Sequence, residues 1–225
     1  MSTREEILGN IRRGRARKGG ERQRQQSVEA RLSQPSRGPV PARADLDLPG
    51  LLTLFETKAK EASATVVRVG SSADVPAAVA DFLAGENLPA EIVMAPDPRL
   101  DAIPWDERPM LSITRGRTGG EHAVSVTGAF AGIAETGTLM LLSGPESPTT
   151  LNLLPETHIV VIRRREIVGP MEDAWDRVRA RSGGDLPRTV NFITGPSRSA
   201  DIGQQLQMGA HGPRRLHIVL VDGED

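Results

Sequence analysis

Two stretches of the chain hold residue types and spacings that could do chemistry. The first is Ala134-Glu-Thr-Gly-Thr138, with Ser143 shortly after it. A carboxylate set among small residues and beside an apolar strand is costly to bury without a partner or a task. As a functional group, Glu135 would be a general base or would bind a substrate hydroxyl, with Thr136, Thr138 and Ser143 adding hydrogen bonds. As a structural group, it would satisfy backbone N–H groups at a hairpin turn. The second stretch is Thr194-Gly-Pro-Ser-Arg-Ser-Ala-Asp201, between an apolar run and an expected short amphipathic helix that Gly209 would stop. Thr194, Gly195, Ser197, Arg198 and Asp201 would then surround a helix N-terminus. Its N–H groups and the guanidinium suit a carboxylate or phosphate. Capping explains part of this cluster, with Ser197 or Ser199 as N-cap and Asp201 near the positive end of the dipole. Neither serine has Glu or Gln three residues on, so a full capping box is not available. His211, just before Gly212-Pro213, reads as a turn residue or as a catalytic group.

Composition removes several other chemistries. Cysteine is absent from the 225 residues, which excludes disulfides, thiol nucleophiles, iron–sulfur clusters and cysteine-ligated zinc in this chain. The four histidines, at 122, 158, 211 and 217, lack metal-ligand spacing, so no metal site is expected. A phosphate-binding loop, a dinucleotide-binding fingerprint, a zinc-protease motif and a serine-hydrolase nucleophile elbow are all missing. Aromatic residues make up 3% with no Tyr, so no platform for stacking bases is visible and nucleic acid is not an expected partner. No run approaches the roughly 18 apolar residues of a membrane span. The N-terminus has no apolar core behind its basic residues, and the expected location is cytoplasmic.

The charge is unevenly spread. Residues 1–43 hold 11 Lys and Arg against 4 Asp and Glu, a net of +7, while the rest holds 17 against 25, a net of −8. A basic arm on an acidic body is the reading, with residues 1–44 as the arm and 45–225 as the body. A first helix is predicted from about Ser2, with Ile7, Leu8 and Ile11 on one face. Residues 12–43 lose apolar periodicity and read as an extended or flexible tether.

The body must position the two stretches. A helix is predicted over about Leu51–Ala64, then a strand Thr65–Val69, a helix Val75–Leu83 and a strand Glu91–Met94. That is a βαβ unit, and hence an at least partly parallel sheet. Further strands are expected at Met110–Thr114, Ala123–Ala131, Thr138–Leu142, His158–Ile162, Thr189–Ile193 and Leu216–Val221, with a helix at Gly169–Arg181. The turn Glu135-Thr-Gly137 would join two of these strands. The fold class is α/β, a mixed and largely parallel sheet flanked by helices, with seven or eight strands.

At these residues the chain resembles the LUD-domain family, in its lactate utilization protein C group. The resemblance rests on Gly132-Ile-Ala-Glu-Thr-Gly-Thr138, Leu153-Leu-Pro-Glu-Thr-His-Ile159, Asn191 to Ile202, and Gly209-Ala-His-Gly-Pro213. It implies a fold similar to the NagB/RpiA/CoA-transferase-like class. It also implies an accessory or substrate-handling part in oxidising L-lactate to pyruvate, beside two iron–sulfur proteins that would carry the clusters this chain cannot hold. On that expectation a small anion such as lactate sits between the two stretches, Arg198 pairing its carboxylate and Glu135 near its hydroxyl. The alternative is an independent enzyme similar to a CoA-transferase or a folate cycloligase, acting on a small carboxylate, with Glu135 as nucleophile or base.

Overall fold

The structure, a computed structural model, describes residues 3–16, 20–33, 36–182, 186–202 and 205–223; of residues 15, 16, 21, 182, 200–202 and 205–207 it describes the backbone alone. The chain divides into two compact units, Met1–Pro39 and Val40–Asp225.

The first unit holds helices α1 (Thr3–Ala16) and α2 (Glu21–Ser33). Glu5 and Glu6 stand in the first turn of α1, where the helix dipole favours negative charge. Ile7, Leu8 and Ile11 are exposed on it. The expected tether is therefore corrected: α1 runs on to Ala16, and α2 follows. The residues of α2 explain why periodicity missed it. Glu, Arg, Gln and Ala have high intrinsic helix propensity, and Gln25 donates to Glu29 one turn on (3.1 Å). Val28 and Leu32 alone do not make an apolar stripe.

The second unit opens with α3 (Leu48–Glu61), started by the Asp47 side chain accepting from Gly50 N, which is what an N-cap aspartate does. Strand β1 (Thr65–Val69), helix α4 (Val75–Gly85) and strand β2 (Glu91–Met94) follow as predicted. After the single turn α5 (Pro98–Asp101) come β3 (Ser112–Arg115) and β4 (Val124–Gly128). Next are β5 (Ala131–Ile133), β6 (Thr138–Leu142), the short α6 (Thr150–Leu153), β7 (Thr157–Arg163) and β8 (Ile167–Val168). Helix α7 (Met171–Ser182), β9 (Val190–Ile193), β10 (Arg198–Ile202), β11 (Gln205–Met208) and β12 (Arg215–Val221) complete the chain.

Six strands form one parallel sheet in the order β1-β12-β7-β4-β2-β3. The mixed, largely parallel α/β class expected from the sequence is the one observed. Its central strands β7 and β12 are apolar on both faces, as a parallel strand covered on each side requires. β1 and β2 are parallel members of this sheet, as the βαβ pattern demands, but β12, β7 and β4 lie between them. A second sheet has the order β8-β5-β6-β9, with β6 antiparallel to both neighbours. Helix α3 is packed between the sheets: Leu52, Phe55 and Ala59 meet Val160 and Ile218 of the first sheet and Leu139 and Leu141 of the second. Helix α4 covers the far side of the first sheet through Val75, Val79 and Leu83. Helix α7 covers the far side of the second through Ala174 and Val178.

Two expectations are corrected here. The single strand predicted over Ala123–Ala131 is two, because the chain leaves the first sheet after Gly128 and joins the second at Ala131. Apolar content marks both as buried, but a run of small residues does not say which sheet it pairs with. The amphipathic helix predicted after Ser197 is a hairpin, β10 paired antiparallel with β11, Arg198 opposite Met208. The hairpin base is tied by Ser197 N to Pro213 O (2.8 Å) and Gly209 N to Ser197 O (2.9 Å), bonds that no local propensity reports.

Candidate functional site

The two predicted stretches do meet. Thr138 Oγ1 lies 2.6 Å from Thr194 Oγ1 and 2.8 Å from Thr136 Oγ1, a chain of three hydroxyls joining the Glu135 turn to the Thr194 turn. Both turns rest on the C-terminal end of α3. Gly137 (φ 66°) and Gly195 (φ 73°) approach so closely that a Cβ at either would overlap backbone, of Lys58 and Ala59 in one case and of Ala62 in the other. Arg198 donates to Ala62 O (3.1 Å) and to Ser63 Oγ (3.4 Å), a cation placed at the negative end of a helix dipole. Glu135 Oε1 accepts from Met171 N (3.0 Å), the first residue of α7. The carboxylate thus takes up one of that helix's orphan N–H groups, and Glu135 O accepts from Arg43 Nε (3.4 Å).

Ser143 and Ser197 also have bonds within the fold. Ser143 Oγ accepts from Thr189 N (2.9 Å). Ser197 Oγ accepts from the backbone N of His211 (3.3 Å). Asp201 stands in β10, and its side chain lies outside the described residues. Because Arg198 to Asp201 form a strand, the helix N-terminus expected to hold an anion there does not exist.

An open cleft of about 880 Å³ lies elsewhere on the unit, and of the predicted residues Ser143 lines it. It sits beyond the carboxyl ends of β2 and β4, the place where open α/β sheets bind ligands. One wall is an ion cluster built on Asp97-Pro-Arg99. Arg99 Nε and Nη2 donate to Asp97 (3.1 and 2.7 Å) and Nη1 donates to Glu166 Oε1 (2.7 Å) and Ala129 O (3.2 Å). Glu166 Oε2 accepts in turn from Arg163 N (2.8 Å). Burial alone would push the Asp97 carboxyl up, but the bonds from Arg99 and the charges of Arg99 and Arg163 outweigh it and hold it below its ordinary value. Burial likewise opposes the Arg99 charge, and its two carboxylate partners more than offset that. Gly128 makes the cluster possible: a Cβ there would stand 2.8 Å from Arg99 Nη2 and 2.9 Å from Asp97 Oδ2. One arginine is thus shared between two carboxylates.

The rest of the lining is mostly apolar, with one cation, Arg181, and one carboxylate, Glu146. Leu142, Val178 and Leu186 line it, and Arg181, in the last turn of α7, holds its guanidinium 5.7 Å from the centre of the Phe130 ring. Among the described residues no hydrogen bond or ion pair of Arg181 is found. Between the walls runs the loop Gly144–Ser147, closed on itself by reciprocal backbone bonds (3.3 and 3.1 Å).

Asp97, Arg99, Glu166 and Arg181 were not singled out by sequence. For Asp97 and Arg99 a signal existed, since charged residues directly after a parallel strand stand at the ligand-binding edge. For Glu166, Phe130 and Arg181 there was none, because the chain brings them together from three different elements. Two histidines are buried away from the cleft. His158 bonds Thr127 Oγ1 (2.8 Å) and burial pushes its pKa down to about 3; His217 bonds Thr65 Oγ1 (2.8 Å), stacks on Phe82, and is pushed down to about 4. Among the described residues no group of three His, Asp or Glu side chains is placed to hold a metal ion, and no helix is long and apolar enough to cross a membrane.

An α/β body with a charged cleft at its strand ends is the frame, and comparison with known proteins says to which family it belongs. Residues 52–221 match the LUD domain, and the chain belongs to the LUD-domain family. It is 36% identical over 129 residues to Lactate utilization protein C of Anoxybacillus flavithermus, covering 55% of this chain and 54% of that protein. To Lactate utilization protein C of Bacillus subtilis it is 38% identical over 100 residues, 44% of this chain and 42% of that one. The chain thus spans about half the length of the curated relatives it matches. The crystal structure of a DUF162 family protein from Deinococcus radiodurans superposes with a TM-score of 0.58 at 25% identity, covering 78% of this chain and 99% of that one.

Proposed function

We propose that this chain acts in lactate utilization, as a non-redox subunit that handles an organic anion beside two iron–sulfur partner proteins. The cleft at the carboxyl ends of β2 and β4 carries this reading. It is open, it has an arginine without a bond among the described residues, and it belongs to a chain similar to proteins named Lactate utilization protein C. The lack of cysteine leaves this chain no thiolate for a cluster, so electrons leaving lactate would pass through partners.

Deletion of the gene from its host is the test. Growth on L-lactate as carbon source should fail while growth on pyruvate continues, and the intact gene should restore it. A deletion strain that grows on L-lactate at the parental rate would overturn the assignment.

A further inference from the structure

The cleft is too large for lactate to be what it was shaped around. Its volume of about 880 Å³ equals the liquid share of roughly thirty waters, against the six heavy atoms of lactate. Clefts of roughly 300–1,000 Å³ hold ligands of drug or cofactor size. A molecule as small as lactate would leave most of the two walls in water.

The walls also differ in what they ask of an occupant. Asp97 and Glu166 flank Arg99 and hold its guanidinium between them. Nε, Nη1 and Nη2 of Arg99 all donate already, to Asp97, Glu166 and Ala129 O, so this group does not call for an anion. Both Asp97 oxygens are taken up by Arg99, whereas each Glu166 oxygen accepts one bond and can accept another from a ligand N–H or O–H group. Arg181 lines the same cleft. Lying over the face of Phe130, its guanidinium is oriented by the ring quadrupole and presents a flat surface, and among the described residues its N–H groups have no partner, so they can pair an anion. Leu142, Val178 and Leu186 continue this wall as an apolar surface.

We propose that the cleft binds an organic anion of nucleotide size, its planar ring lying along Phe130 and Arg181, its anionic group paired with Arg181 and its donor groups turned to Glu166. This inference deepens the assignment of the cleft as the ligand site of a lactate-utilization subunit. It places a larger, ring-bearing compound there rather than lactate itself.

Four probes separate the parts of that ligand: flavin mononucleotide and AMP carry ring and anion together, riboflavin carries the ring alone, and L-lactate carries the anion alone. Titration of the full chain, by flavin fluorescence or by calorimetry, should give one site for flavin mononucleotide or AMP. Its affinity should be at least tenfold tighter than for riboflavin or L-lactate. Arg181→Gln should weaken that binding at least tenfold, and Arg181→Lys less. Phe130→Leu should weaken the ring-bearing probes and leave the melting temperature within a few degrees. Failure of both nucleotides to bind below 1 mM overturns the proposal, as does L-lactate binding as tightly as they do. Unchanged binding in Arg181→Gln overturns it as well. None of these results alters the growth phenotype on L-lactate, so the pathway assignment stands or falls separately.

Discussion

Acidification should unfold this protein from the inside, through His158 and His217. An unfolded histidine titrates near pH 6.5, whereas burial lowers His158 to about 3 and His217 to about 4. Between those values the unfolded chain binds more protons than the folded one. Stability therefore falls as pH falls, beginning below about 6.5. Each pH unit is worth about 1.4 kcal/mol per group. Over the roughly one and a half units down to pH 5, each histidine costs about 2 kcal/mol, and the two together about 4. That is a large part of the roughly 5–15 kcal/mol that holds a domain folded. Asp97 acts in the same direction lower down: its depressed carboxyl stabilises the fold above the unfolded value, and that contribution is lost as pH falls through the folded one. Urea denaturation at pH 7.5 and pH 5.0, followed by circular dichroism, measures the effect. His158→Gln lowers stability at pH 7.5 by losing the Thr127 bond, yet its drop between the two pH values should be smaller than wild type by about 2 kcal/mol. A wild-type protein equally stable at both pH values, or a variant with the wild-type pH dependence, would refute the reasoning.

Two further substitutions test the junction of the predicted stretches. Gly195→Ala places a side chain at φ 73° and against the Ala62 carbonyl; the conformation alone costs roughly 1–2 kcal/mol, and a melting temperature within a degree of wild type would contradict the close approach. Glu135→Ala removes the acceptor for Met171 N and should cost about 0.5–2 kcal/mol in chemical denaturation, as other N-terminal helix caps do. Glu135→Gln, which keeps a carbonyl acceptor, should cost less, and equal losses in the two variants would show that the bond is not the cause.

Much of the body was legible in order. The apolar runs at Glu91–Met94, Thr138–Leu142 and Leu216–Val221 are strands, because a strand buried on both faces must be largely apolar, and the β-branched run Thr65–Val69 is a strand at the sheet edge. The turn Glu135-Thr-Gly137 joins β5 to β6, since its glycine alone tolerates the positive φ that lets it lie on α3. Helix α2 was not legible, because a polar helix shows no apolar period. The hairpin after Ser197 was not legible either, because its base is held by Pro213 and Gly209, residues distant from the stretch that propensity reads.

By itself the sequence determined the class of fold, the lack of thiol chemistry, and the two stretches whose hydroxyls meet at Thr138 and Thr194. These follow from composition and from periods of a few residues, which local sterics and burial impose. Only the tertiary structure decided what the polar residues face. It turned the carboxylate of Glu135 toward α7 and the guanidinium of Arg198 toward α3, and it set Asp97, Glu166 and Arg181 around one cleft. Those three residues come from a strand end, the approach to β8 and the last turn of α7. Sheet order and helix packing, which no local pattern encodes, bring them together.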